Sequence, residues 1–140
     1  VEVIDGSAGT DDRIIATSGN DNLDFSGFAI VGIERIELGT GNDAVRGSSS
    51  SDVFLGGAGN DTFVFAESFG NDTILDFDRG TAAAPLADLI DLSGFAGLSF
   101  ATLQLQQVGA NTVVTISPND TITLTGITAT TLAADDFRFV

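Results

Sequence analysis

Three aspartates, Asp43, Asp52 and Asp61, fall nine residues apart, and Val45, Phe54 and Phe63 keep the same step two places later. Gly56-Gly57-Ala58-Gly59-Asn60-Asp61-Thr62-Phe63-Val64 reads Gly-Gly-x-Gly-x-Asp-x-(large apolar)-x at every position. Gly39, Gly41, Asp43 and Val45 hold the second, fourth, sixth and eighth places of an earlier copy. Gly47, Asp52 and Phe54 hold the first, sixth and eighth places of the copy between, where serines replace the other glycines. One Gly-Asn-Asp run is an ordinary surface turn. Two chemically different residue types held in one register make a pattern. Carboxylates and turn carbonyls offer oxygen donors only, and a repeated set of oxygens is the chemistry of a hard cation.

The elements that must position these groups follow from the unit itself. Its glycine-rich half suits a turn that a Cβ would oppose. Its x-apolar-x half is too short for a helix and suits a brief strand with one inward side chain. Turn, strand, turn, strand makes one coil of a flattened solenoid from two units. Equivalent positions then stack eighteen residues apart, so Asp43 is expected over Asp61, with Asp52 on the opposite side pairing with Asp72. Stacked carboxylates repel unless one protonates or a cation joins them. Calcium accepts six to eight oxygens in loose geometry, whereas magnesium demands a stricter octahedron. Zinc is disfavoured because the chain has no His and no Cys. The expected ligands are the carboxylates of Asp43, Asp52, Asp61 and Asp72 and the carbonyls of Gly39, Gly41, Gly57 and Gly59. Val45, Phe54, Phe63 and Ile74 are the expected inner stack.

This nonapeptide resembles the repeats-in-toxin (RTX) calcium-binding family. The resemblance implies an all-β fold, a right-handed parallel β-roll with two nonapeptide units per coil, with calcium as its cofactor.

Composition narrows the function. The formal net charge is −15, and all five basic residues are arginines. Nucleic acid needs basic patches, and anionic membranes repel such a surface. No stretch is long and apolar enough to span a membrane, so membrane insertion is not expected. Without cysteine there is no disulfide framework, and bound metal is the remaining brace for a small glycine-rich fold. The absence of His, Cys, Lys and Tyr removes the usual bases and nucleophiles, so no enzymatic activity is expected.

Along the chain, the first residues read as two worn units. Ser18-Gly19-Asn20-Asp21-Asn22-Leu23 keeps the core pattern and makes Asp21 a candidate ligand. The segment from Gly6 to Ile14 carries an apparent insertion, with Asp11 or Asp12 in the ligand place. Ser26 to Glu37 breaks the repeat; a strand is expected at about Ile33 to Leu38, after a loop that bulges outward, with Glu34 and Glu37 on a solvated face. Gly70-Asn71-Asp72-Thr73-Ile74 is a unit end displaced by a longer turn. Asp76, Asp78, Asp88 and Asp91 are candidates for a last calcium site, of which Asp78 and Asp88 are preferred. The loop from Thr81 to Ala87, with Pro85, reads as irregular and exposed. From Leu98 acids nearly vanish, and Leu103–Val108, Thr112–Ile116 and Thr121–Leu124 alternate as an antiparallel meander that caps the solenoid. One helical turn capped by Thr130 or Thr131 precedes a last short strand. The expected division is 1–37 worn repeats and spacer strand, 38–75 calcium-binding β-roll, and 76–140 capping meander.

The ending, with Leu132, Asp136, Phe137, Phe139 and Val140, resembles the uncleaved carboxy-terminal signal of proteins exported by type I (ABC-transporter) systems. The resemblance implies a secreted or cell-surface protein of a Gram-negative bacterium whose partner is that export apparatus. The combined expectation is a calcium-dependent folding and export module, disordered at low calcium and monomeric as a module. Two other readings stay open: a calcium-dependent polysaccharide-binding module, since RTX modules of alginate-modifying enzymes look similar, or an adhesin or surface-layer assembly segment.

Overall fold

The computed structural model describes residues 2–6, 9–83 and 87–140. Part of the first worn unit (7–8) and Pro85 lie outside the described residues. The three units at the centre each form a turn followed by a three-residue strand: β6 (Ala44–Arg46), β7 (Val53–Leu55) and β8 (Thr62–Val64). In each strand only the middle residue is fully buried, which is what a single inward side chain per unit dictates.

Successive strands alternate between two parallel sheets. One sheet carries β3 (Asn22–Asp24), β6, β8, β10 (Leu89–Asp91) and β14 (Phe137–Arg138) in that spatial order. The other carries β2 (Arg13–Ile15), β5 (Arg35–Glu37), β7 and β9 (Asn71–Ile74), then a meander of β13 (Asp120–Leu124), β12 (Asn111–Ser117) and β11 (Gln104–Val108). The chain is thus a parallel β-roll closed by an antiparallel meander. The inward residues stack in register: Leu23, Val45, Phe63, Ile90 and Phe137 in one sheet, Ile14, Ile36, Phe54, Ile74 and Leu124 in the other. Phe54 and Phe63 meet between the sheets with ring centroids 5.9 Å apart. Val45, Phe54, Phe63 and Ile74 are all buried.

The closing elements are non-local. β13 joins β9 in parallel, pairing Thr121 with Asn71, while β12 runs antiparallel to both β13 and β11. β14 joins β10 in parallel, pairing Phe137 with Ile90. Different stretches of chain therefore cover the two sheets.

Two expectations are corrected. The segment before Ile33 is not simply a bulging loop: Phe28–Val31 forms β4, which pairs in parallel with β1 (Glu2–Asp5), Ile4 opposite Ile30. Burial of Ile30 and this added pairing stabilise the insertion as a small two-stranded sheet. The expected helical turn near Thr130 is instead two 3₁₀ turns, Ala129–Thr131 and Ala134–Asp136, neither capped by the side chain of its N-cap residue. Among the described residues no helix is long and apolar enough to cross a membrane.

Candidate metal centre

Each repeat places its aspartate at the step from turn into strand. The parallel strands then bring these aspartates into columns. In one column the N–H of Asp21 donates to Oδ1 of Asp43 at 2.8 Å, that of Asp43 to Oδ1 of Asp61 at 3.0 Å, and that of Asp61 to Oδ1 of Asp88 at 2.9 Å. In the opposite column the N–H of Asp52 donates to Oδ1 of Asp72 at 2.8 Å. The expected pairings of Asp43 with Asp61 and of Asp52 with Asp72 are both present. They are bridged by main-chain donors, so one oxygen of each upper carboxylate is satisfied without metal.

The second oxygens are not. Among the described residues, Oδ2 of Asp43, Asp61 and Asp72 is buried with no hydrogen-bond partner. An unpaired buried polar oxygen is costly, and a cation is the ligand that would satisfy several of them together.

The turns between the aspartates are stacked as tightly as the strands. Ala58 donates its N–H to the Gly39 carbonyl and accepts from the Gly41 N–H, both at 2.9 Å. Gly57 and Gly59 take φ of 92° and 140°, and a Cβ there would fall 2.0 Å from the Gly39 oxygen and 1.5 Å from the Gly41 oxygen. Two main-chain oxygens of one turn therefore press directly on the next, where only glycine fits.

A family model for the RTX calcium-binding nonapeptide repeat matches the chain in 4 copies over residues 7–24 and 30–63. These stretches are similar to the RTX repeat. Its β-roll is also the fold of two solved modules of a mannuronan C5-epimerase of Azotobacter vinelandii. The AlgE6R2 subunit is 29% identical, with a TM-score of 0.54, over 91% of this chain and 92% of that one. The AlgE6R3 subunit is 26% identical, with a TM-score of 0.56, over 95% of this chain and 81% of that one. No curated protein matches the chain.

RTX repeats bind calcium, and the residues present fit that ion. Every donor in the columns and turns is oxygen. Among the described residues no three acidic side chains converge as a metal-binding group. The other oxygens close by are the carbonyls of the stacked glycine turns.

The electrostatics show what the metal-free roll tolerates. Burial pushes the Asp72 carboxyl up to about 8, with the nearby Asp52 and Asp120 charges adding to it. Burial likewise raises Asp61 and Asp88 to about 6, and it raises Asp52. Donated N–H bonds oppose the shift in each case. Desolvation thus outweighs the carboxylate repulsion that the spacing alone suggests.

The remaining candidates have distinct surroundings. Asp21 accepts from the N–H and hydroxyl of Thr17 at 2.8 and 2.7 Å. Asp88 uses both oxygens on main-chain donors, Asp61 and Asp78. Asp78 accepts locally from the Gly80 N–H. Asp91 accepts from Ser93 and pairs with Arg138 at 2.9 Å. Burial alone would raise its carboxyl, but these partners hold it below the ordinary value. Glu37 pairs with Arg13 and Arg35, whereas Glu34 accepts from the Asp12 N–H at 2.6 Å and so takes a column place in the worn region.

Three participants escape a reading of the nonapeptide. Asp76 accepts from the N–H of both Gly56 and Gly57 at 2.8 Å, clamping a turn from the next coil. Asn20, Asn42 and Asn60 form a second ladder, in which the N–H of each later residue donates to Oδ1 of the earlier one. Asp120 accepts from the Gly70 N–H at 3.1 Å. The recurring trio Asn-Asp-Thr at 60–62, 71–73 and 119–121 is the sequence signal that marks Asp120.

Proposed function

We propose that this chain is a calcium-dependent folding module of a protein exported by a type I system, folding outside the cell and carrying no catalysis of its own. The observation that supports it best is the set of buried, partnerless oxygens on Asp43, Asp61 and Asp72. Without calcium the roll must either protonate these groups or leave charges buried, and the glycine-rich chain has much entropy to lose. Calcium at about 10⁻³ M outside cells falls in the range where modest extracellular sites fill. In this reading Asp43, Asp52, Asp61 and Asp72 supply carboxylates, and Gly39, Gly41, Gly57 and Gly59 supply carbonyls. Residues 38–75 form the calcium-binding part, 1–37 the worn extension and 76–140 the cap.

Burial supports a role for the carboxy-terminal segment before folding. Leu132, Asp136 and Phe137 are buried, so an export apparatus would read them in the unfolded chain. Far-ultraviolet circular dichroism during a calcium titration, starting from chelated protein with magnesium as control, tests the proposal. A cooperative gain of β signal with calcium alone is expected; a fully folded spectrum in chelator would overturn it. Asp61→Ala should remove or weaken one site by calorimetry.

A second reading, a polysaccharide-binding module, is favoured by the likeness to two mannuronan-epimerase subunits. Calorimetric titration with mannuronan in calcium separates it: measurable heat supports it, and none removes it.

A further inference from the structure

We infer that the free edge of β11 is a self-association site, at which a second copy of this chain adds its own β11 in antiparallel register. Among the described residues β11 pairs on one side only, with β12. An open edge offers a row of unpaired main-chain donors and acceptors, and proteins usually blunt such edges by shortness, charge or proline. The other ends of the two long sheets follow that rule. β2 has three residues including Arg13, with Asp11 and Asp12 just before it; β3 has three including Asp24; β14 has two including Arg138. β11 has five residues, Gln-Leu-Gln-Gln-Val, with neither charge nor proline.

The chemistry around the edge selects the occupant. From Leu92 to Asn119 no residue is charged, on a chain of formal charge −15. Over most of the surface a second copy would meet carboxylates. Here two copies approach without like-charge repulsion. Gln104 and Gln106 are exposed, and Val108 is 50% exposed. Beside the edge lies an open hollow of about 240 Å³ lined by Leu98, Gln104, Ile116 and Pro118 among others, which would take apolar side chains of the partner. Antiparallel pairing about Gln106 sets Gln106 against its own copy and Gln104 against Val108 of the other. Such a contact is isologous and closes at a dimer, merging two seven-stranded sheets. A dimer replaces the monomer expected of the sequence. It needs the folded roll but is independent of which residues bind calcium.

The test is sedimentation velocity of the full chain in saturating calcium, from micromolar to millimolar protein, with circular dichroism confirming that the roll has formed. The wild type should shift toward a dimer with concentration. Gln106→Glu and Gln106→Lys should each weaken the dimer at least about tenfold by placing like charges opposite each other. Mixing the two variants should restore association, which a folding defect would not do. A folded chain that stays monomeric at millimolar concentration overturns the inference. So does a dimer that neither variant weakens, because its contact then lies elsewhere.

Discussion

The main-chain N–H of Asp52 reaches Oδ1 of Asp72 at 2.8 Å, while Oδ2 of Asp72 is buried with no partner. One carboxylate therefore has a half held by the main chain and a buried half that is not. Asp72→Asn keeps an acceptor for Asp52 and removes the charge. Without calcium at pH 8 the folded fraction should rise, because a buried charge has gone. With calcium, affinity at that site should fall by about tenfold, equivalent to about 1.4 kcal/mol. Circular dichroism in chelator reads the first effect and calorimetry the second. A variant that binds calcium as the parent does would remove Asp72 from the ligand set.

The metal-free chain should favour mild acid. Asp72 at about 8, and Asp61 and Asp88 at about 6, all lie above the ordinary 3.8 of an aspartate. Groups with raised folded values contribute stability in full below their unfolded value and lose it as pH rises through the folded value. Stability from these three should thus decline through pH 6 and again through pH 8. Asp91 works oppositely: its lowered value gives stability that is lost as pH falls below the ordinary range. A pH series of denaturant midpoints on metal-stripped protein checks both limbs. Calcium must displace the protons, so binding at pH 7 should release protons, seen as a dependence of binding heat on buffer.

Glycines of the same backbone class should differ sharply in tolerance. Gly59→Ala combines a φ of 140° with a Cβ placed 1.5 Å from the Gly41 oxygen, so the stacked turns must separate. Gly109 also has positive φ, 60°, but nothing lies within 4 Å of its added Cβ. Gly109→Ala should cost about 1–2 kcal/mol. Gly59→Ala should cost more than about 3 kcal/mol and weaken calcium binding with it. Equal losses in the two variants, measured by denaturation in calcium, would refute the close packing of the turns.

Arg79 holds the carboxy-terminal segment from outside it. Its guanidinium meets Oδ2 of the buried Asp136 at 2.8 Å, and the same oxygen accepts from the Ala133 N–H. Arg79→Ala should destabilise the folded state by about 1–3 kcal/mol, because Asp136 loses a charged partner while buried. Amide exchange at Phe137 and Arg138 should accelerate well before that of Phe63. Uniform acceleration across the roll would show that the segment does not open separately.

What the spacing reveals depends on whether a contact repeats. Asp43, Asp52 and Asp61 could be placed in opposing columns because the nine-residue step forces it. The meander strands showed in the alternation of Leu103–Val108 and Thr121–Leu124. The partners of β13 and β14 did not, since Ile74 with Leu124 and Ile90 with Phe137 are single long-range pairings without a period. β4 was hidden for the same reason: its partner β1 lies beyond the worn units. Asp76 was visible as an acid but not as the acceptor for Gly56 and Gly57, because that role depends on how the turns stack. Thr130 and Thr131 suggested a cap by residue type alone, and the chain there turns too tightly for an α-helical turn to begin.

The two sheets are closed by separate stretches, β13 for one and β14 for the other. Assembly of the roll is therefore a test of completeness. A chain lacking residues 133–140 would still present the repeats, the aspartate columns and the meander. It would also carry a bare strand at β10, with Ile90 uncovered on the side of Phe137 and Asp91 stripped of Arg138. Truncated copies should accordingly gather metal yet clump through that uncovered strand, so intact delivery of the final residues separates a soluble product from a sticky one.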